Sequence, residues 1–204
     1  IFGKNPGEMQ KILTKNKFIK LLEYCSRGYT IVDENSELDI RYQTNNGISA
    51  TRCTIKNLSD IKKYCKTDSL TDMELIFIDK KNIERYDGEL KDEYNYRLNL
   101  NSENNYNKNS PEASDFIENI DKNKFYRYKH RTSFITDDLL FRIDLTAVKS
   151  NSYNDNTKRF NLYRNFKESK LLKNPEVYEL EIEYVGNMKC NNVLNIQSYL
   201  DNNN

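Results

Sequence analysis

The sequence predicts a strand-dominated α+β fold: a closed antiparallel eight-stranded β-barrel with helices packed on its outside. Three observations point there. Eight stretches with a period of two follow one another along the 204 residues. A helical period precedes them. The charged faces of the alternating stretches carry clusters of one sign, which need a partner of the opposite sign.

The helical stretch comes first. Met9, Ile12, Leu13, Phe18, Leu21, Leu22 and Cys25 recur at three- and four-residue spacings, which predicts one amphipathic helix closing near Gly28. The strand candidates are 30–33, 37–43, 50–56, 74–79, 95–103, 125–134, 140–148 and 177–185. Segments 104–115 and 150–158 read as polar loops, and 159–173 as a short helix. The implied organisation is a helix over 1–28 packing on a barrel formed by 29–190, followed by a tail or linker over 191–204.

Composition narrows the chemistry. Lys and Arg number 32 against 31 Asp and Glu, so bulk charge does not build a nucleic-acid coat and any anion must be bound by placement. Cys25, Cys53, Cys65 and Cys190 are scattered without a C-x-x-C pair, and His130 is the one histidine. A zinc site or a histidine-based nucleophile is therefore not expected. Dispersed thiols fit an intracellular, reducing compartment, and no apolar run is long enough to span a bilayer. Neither a P-loop nor a dinucleotide fingerprint occurs. The chemistry must run on carboxylates, Lys and Arg.

The alternation places those groups. In Glu37-Leu38-Asp39-Ile40-Arg41-Tyr42 the odd positions share one face of a strand; in Tyr178-Glu179-Leu180-Glu181-Ile182-Glu183-Tyr184 three glutamates do. Between these acidic strands lie Arg127, Lys129 and Arg131 on one face of 126–131, Arg142 and Asp144 on one face of 141–145, and Arg97, Asn99, Asn101 and Glu103 on one face of 96–103. A solvated outer surface would account for any one of them. Together, three like charges in one strand and three opposite ones in another call for mutual compensation. A barrel with its polar faces inward supplies it and leaves the apolar faces for the helices. Clustered carboxylates suit Mg²⁺ or Mn²⁺, and the Arg and Lys side chains suit the remaining charge of a polyphosphate.

These residues resemble, in order as well as in kind, the triphosphate tunnel metalloenzymes, and among them the RNA triphosphatase domains of capping enzymes from giant viruses, African swine fever virus and poxviruses. Glu37 to Tyr42 resembles the family's first metal strand, with Asp39 where the pattern has glutamate. Thr51-Arg52-Cys53 resembles its early arginine strand, and Lys80-Lys81 lies where a phosphate-binding lysine is expected. Arg97 to Glu103 resembles the strand ending in an essential glutamate, and 126–134, 141–149 and 178–186 resemble the Arg-x-Lys-x-Arg, Arg-x-Asp and final Glu-x-Glu strands. The resemblance spans about residues 30–186.

The resemblance implies a 5′-triphosphatase of RNA, the first enzyme of mRNA capping. Glu37, Asp39, Glu181 and Glu183 would hold Mn²⁺ or Mg²⁺. Arg52, Lys81, Arg97, Arg127, Lys129, Arg131 and Arg142 would bind the phosphates. Glu103, assisted by Asp144 or Glu179, would orient the attacking water. Implied partners are triphosphate-ended RNA and guanylyltransferase and methyltransferase modules in the same or an associated polypeptide. The implied location is the host cytoplasm or the virion. Two other readings stay open: a tunnel metalloenzyme acting on inorganic tripolyphosphate or nucleotide triphosphates, and a non-catalytic RNA-binding or partner-docking barrel.

Overall fold

The structure, a computed structural model, describes residues 2–3, 12–90 and 94–186. Seven principal strands build one sheet: β1 (Thr30–Thr44), β2 (Arg52–Ile55), β3 (Leu75–Leu90), β4 (Tyr94–Tyr106), β5 (Lys124–Ile135), β6 (Phe141–Ser150) and β7 (Val177–Tyr184). Their order is β4-β3-β2-β1-β5-β6-β7, and every neighbouring pair is antiparallel.

The sheet curls strongly. Lys80 on β3 reaches Glu181 on β7, Nζ to Oε1 at 3.9 Å, although β2, β1, β5 and β6 separate their strands in the hydrogen-bonded order. In a flat sheet five spacings of about 4.8 Å would hold them roughly 24 Å apart. β3 and β7 therefore face one another across an inner space. The ring does not close among the described residues. The free edge of β4 takes a short strand, Phe2–Gly3, and the free edge of β7 takes another, Ile12–Leu13, but these two do not pair with each other. The expected closed eight-stranded barrel is thus found as a curled, open half-barrel of seven strands.

The core lies outside the curl. Leu38, Ile40 and Tyr42 of β1, Cys53 and Ile55 of β2, Phe77 of β3 and Tyr126 of β5 all point outward and are buried. Two helices and a single helical turn cover them. From α2 (Leu58–Thr67) come Ile61 and Tyr64, from α3 (Pro111–Glu118) Ala113 and Phe116, and from the turn Phe166–Ser169 Phe166. Each fully buried aliphatic side chain of this kind contributes about 1.5–3 kcal/mol by leaving water. A second, smaller cluster joins Phe18, Leu21, Leu22 and Cys25 of the first helix to Phe134, Ile143, Leu145 and Leu180. Helices therefore do pack on the barrel exterior, and no helix among the described residues is long and apolar enough to cross a membrane.

Several boundaries differ from those expected. The first helix runs Lys15–Gly28, with Thr14 as its N-cap, accepting from the Lys17 amide. Ile12 and Leu13 pair with Glu179 and Tyr178 instead of extending it, because the open edge of β7 offers unpaired backbone groups. Met9 and the tail 191–204 lie outside the described residues. Segment 104–115 is not a loop: β4 continues to Tyr106, and Ser110 caps α3, with Pro111 at its start. The helix expected over 159–173 reduces to Phe166–Ser169 and a 3₁₀ turn at Leu171–Lys173. The third strand continues to Leu90, well past 79, because its distal half is solvated and needs no apolar face.

Candidate active site

Directly opposed residues in an antiparallel pair project to the same face, so the register decides which charges meet. Glu37 lies opposite Lys129, and Asp39 lies opposite Arg127 on one side and Thr54 on the other. Arg131 is opposite Thr146, which is opposite Glu179; Asp144 is opposite Glu181, and Arg142 is opposite Glu183. All of these side chains occupy the inner face, away from the apolar core. Arg52 joins them on β2, and Lys80 opposite Glu103 extends the same face onto β3 and β4. A bulge between Asn82 and Glu84 shifts the inner face of β3 from even to odd positions, so that Asp87 and Arg97 also lie on this side.

Lys81 does not. It is opposite Ser102 on the outer face, because strand parity assigns the inner position to Lys80. Of the pair Lys80-Lys81 it is therefore Lys80 that faces inward, and Arg85, opposite Asn99, is an inner-face cation that the resemblance does not include. Arg41 is another. Its alternation with Glu37 and Asp39 was the signal, and the structure sets it close enough to Arg52 and Arg127 for both to press on its charge.

At the centre of the wall Lys129 Nζ donates to Glu37 Oε2 at 2.6 Å and lies 2.9 Å from Asp39 Oδ2. All three are buried. Thr54 Oγ1 donates to Asp39 Oδ1 at 2.8 Å, and Arg52 Nε lies 3.6 Å from that oxygen. Burial pushes both carboxyls up. The Lys129 ammonium outweighs it, with Arg131 helping at Glu37 and Arg52 at Asp39, and both are held below their ordinary values.

Along β6 and β7 the pairing is denser. Asp144, 1 % exposed, takes both Arg142, at 3.1 Å, and Arg131, at 3.7 Å. Arg142 also donates to Glu183 at 2.5 Å, and Arg127 donates to Glu179. On the opposite wall Arg52 Nη2 lies 3.7 Å from Glu103. Farther along the hairpin, Asp87 accepts from both Arg85 and Arg97, each at 2.6 Å. Every acidic residue expected in the site therefore has a cation beside it.

The cations are not all satisfied. Arg52 Nε and Arg131 Nε are buried with no hydrogen-bond acceptor. Arg41 makes no ion pair among the described residues, and burial together with the Arg52 charge lowers its affinity for its proton. Buried donors without acceptors are costly, and three guanidiniums on one curved face, those of Arg41, Arg52 and Arg131, fit oxyanions in the way a phosphate chain presents them.

For a divalent metal the fit is one of donor chemistry. Glu37, Asp39, Glu181 and Glu183 are hard oxygen donors on the inner face, suited to Mg²⁺ or Mn²⁺. Among the described residues no three potential ligands already stand together around one point, and each of these carboxylates has an ammonium or guanidinium group beside it. The outer face carries a different contact: His130 touches Ser36 at 3.2 Å and Glu34 at 3.4 Å. Its neighbouring strand amides are committed to the sheet ladder, which leaves no pair of N–H groups to bind an oxyanion.

No family model and no curated protein sequence matches this chain. Its fold is similar to that of the Mimivirus capping enzyme triphosphatase, solved in a triclinic crystal form at 1.65 Å. The TM-score is 0.57 at 19 % sequence identity, covering 94 % of this chain and 83 % of that one. At that identity the likeness is one of fold.

Proposed function

We propose that this chain is a metal-dependent polynucleotide 5′-triphosphatase, which removes the γ-phosphate of triphosphate-ended RNA and leaves a diphosphate end, the first step of mRNA capping. The observation that carries the reading is the curl that brings Lys80 to Glu181 around a face where Arg52 and Arg131 hold buried, unanswered donors. The likeness of fold to a viral capping enzyme triphosphatase supports it. In this reading Phe2–Gly3 and Ile12–Leu13, which pair at the two free edges, mark where a closed tunnel would need its eighth strand.

Arg41, Arg52, Arg127, Lys129, Arg131 and Arg142 bind the phosphate chain, and Lys80 takes the place expected of Lys81. Arg97 contributes from the hairpin. Asp144 orients Arg131 and Arg142 rather than reacting, since both guanidiniums converge on it. Glu103, exposed beside Arg52, orients the water for in-line attack on the terminal phosphorus. Glu179 fixes Arg127. Glu37, Asp39, Glu181 and Glu183 would hold the Mn²⁺ or Mg²⁺, which supplies positive charge to the terminal phosphate. The partners are triphosphate-ended RNA and the guanylyltransferase and methyltransferase activities that act next, and the site of action is the host cytoplasm or the virion.

The test is phosphate release from γ-labelled triphosphate-ended RNA, with and without Mn²⁺, beside ATP and tripolyphosphate. Metal-dependent release from RNA is the expected result. Release without metal, or none with any metal, would overturn the proposal, and preference for tripolyphosphate would reassign the substrate.

A further inference from the structure

Two neighbouring carboxylates of β1 and the single ammonium between them are buried together on the inner face. Glu37 and Asp39 are two residues apart on one strand face, and Lys129 is directly opposite Glu37. Its side chain is 4 % exposed, against 10 % and 5 % for the carboxylates. Two buried like charges side by side require a cation. Here the protein supplies its own.

Resting on the metal reading above, we infer that Lys129 is an internal competitor for the metal: its ammonium occupies the cation position between Glu37 and Asp39, and a divalent ion can engage those carboxylates only as Lys129 leaves. The oxygens now accepting from Nζ are the lone pairs a hard cation would use, and a divalent ion about 3 Å from a buried ammonium would be strongly repelled. The flexible four-carbon stem lets the ammonium move without disturbing the strand. Asp39 keeps the Thr54 hydroxyl and the Arg52 charge throughout, so departure of Lys129 does not leave it bare.

Metal and phosphate binding are consequently coupled. A released ammonium on the inner face is a ligand for an anion, and an anion that holds it away from Glu37 favours the metal in return. Linkage makes the two effects equal. The empty protein is spared an unpaired Glu37 beside Asp39, and the loaded protein gains a cation directed at substrate.

The experiment is Mn²⁺ binding to substrate-free protein, read by electron paramagnetic resonance, for wild type, K129M and R127M. Arg127 carries the same charge on the same strand face but holds Glu179, so R127M reports the general effect of losing a cation. K129M is expected to bind Mn²⁺ about tenfold or more tightly than wild type, and R127M by less than about threefold. Equal gains in the two variants, or unchanged or weaker binding by K129M, would overturn the competition while leaving the metal reading intact. Absence of binding to wild type and K129M alike would overturn both. Should K129M fail to fold, the Lys129 ¹³Cε resonance of the wild type is followed during Mg²⁺ addition. A shift that saturates with metal supports the inference; a resonance unmoved while Mg²⁺ binds defeats it.

Discussion

The β1–β5 wall and the distal half of the β3–β4 hairpin carry the same alternation of charged and uncharged residues, and both hold ion pairs 2.6 Å long. They behave differently. In the wall, Lys129 and its carboxylates are buried on the inner face of the curled sheet. On the hairpin, Arg85, Asp87 and Arg97 stand beyond the reach of β2, which pairs only with residues 75–78, and Arg85 and Asp87 are about half exposed. Distance alone therefore says little about what a pair does. Water and salt screen the hairpin pairs, while a wall pair can give up its partner only in exchange for another ion, because its loss alone would strand a buried charge. A buried, charged wall facing a solvated one suits the proposed function, in which the site would hold a polyphosphate at one end and admit a chain at the other.

Substitutions on the two sides should separate these regimes. The largest effect belongs to the wall: E37Q is expected to lower phosphate release by about 10²–10³-fold, the scale of losing one preorganised electrostatic group. Steady-state assays with saturating Mn²⁺ check it, and activity near wild type would remove Glu37 from the site. Next comes R131M, whose lost donor should cost about 10²-fold in kcat/KM, with circular dichroism confirming the fold. On the solvated side, K80M should lose only about tenfold, because its contact with Glu181 is long and exposed. K81M, on the outer face, should stay within about twofold. Reversal of that pair of results would mean that the register of β3 is shifted by one residue.

The smallest effect is one of stability. Glu37 and Asp39 hold their protons less tightly when folded than when unfolded, since each is kept below its ordinary value of 4.5 or 3.8. Their contribution is complete above those values and drains away as pH falls through the lowered ones. Urea midpoints measured from about pH 6 down to about pH 3 should therefore fall further for wild type than for E37Q. Parallel curves would show that Lys129 does not govern the Glu37 proton.

Much of this was legible before any coordinates. The alternation in 37–42, 126–131, 141–145 and 178–184 correctly assigned inner and outer faces, because period two is a local property of the chain. The helices α2 and α3 were harder to see. Asn57 caps α2 and Ser110 caps α3, but each helix is short and sits in a polar stretch where cap residues look like turn residues. Lys80 and Lys81 could not be separated, since adjacent positions differ only by face and the polar surroundings mark neither face as the core side.

The sequence by itself determined that this is a strand-rich chain with carboxylates and cations segregated onto single faces, and its one histidine and scattered cysteines turned the expectation toward those charged groups. Those conclusions follow from residue type and local period, which need no partner. Only the tertiary structure decided that Lys80 turns inward, that Ile12 and Leu13 edge the sheet instead of lengthening a helix, and that Lys129 sits between Glu37 and Asp39. Each depends on strand register and sheet curvature, which arise from hydrogen bonds and packing between segments far apart in the chain.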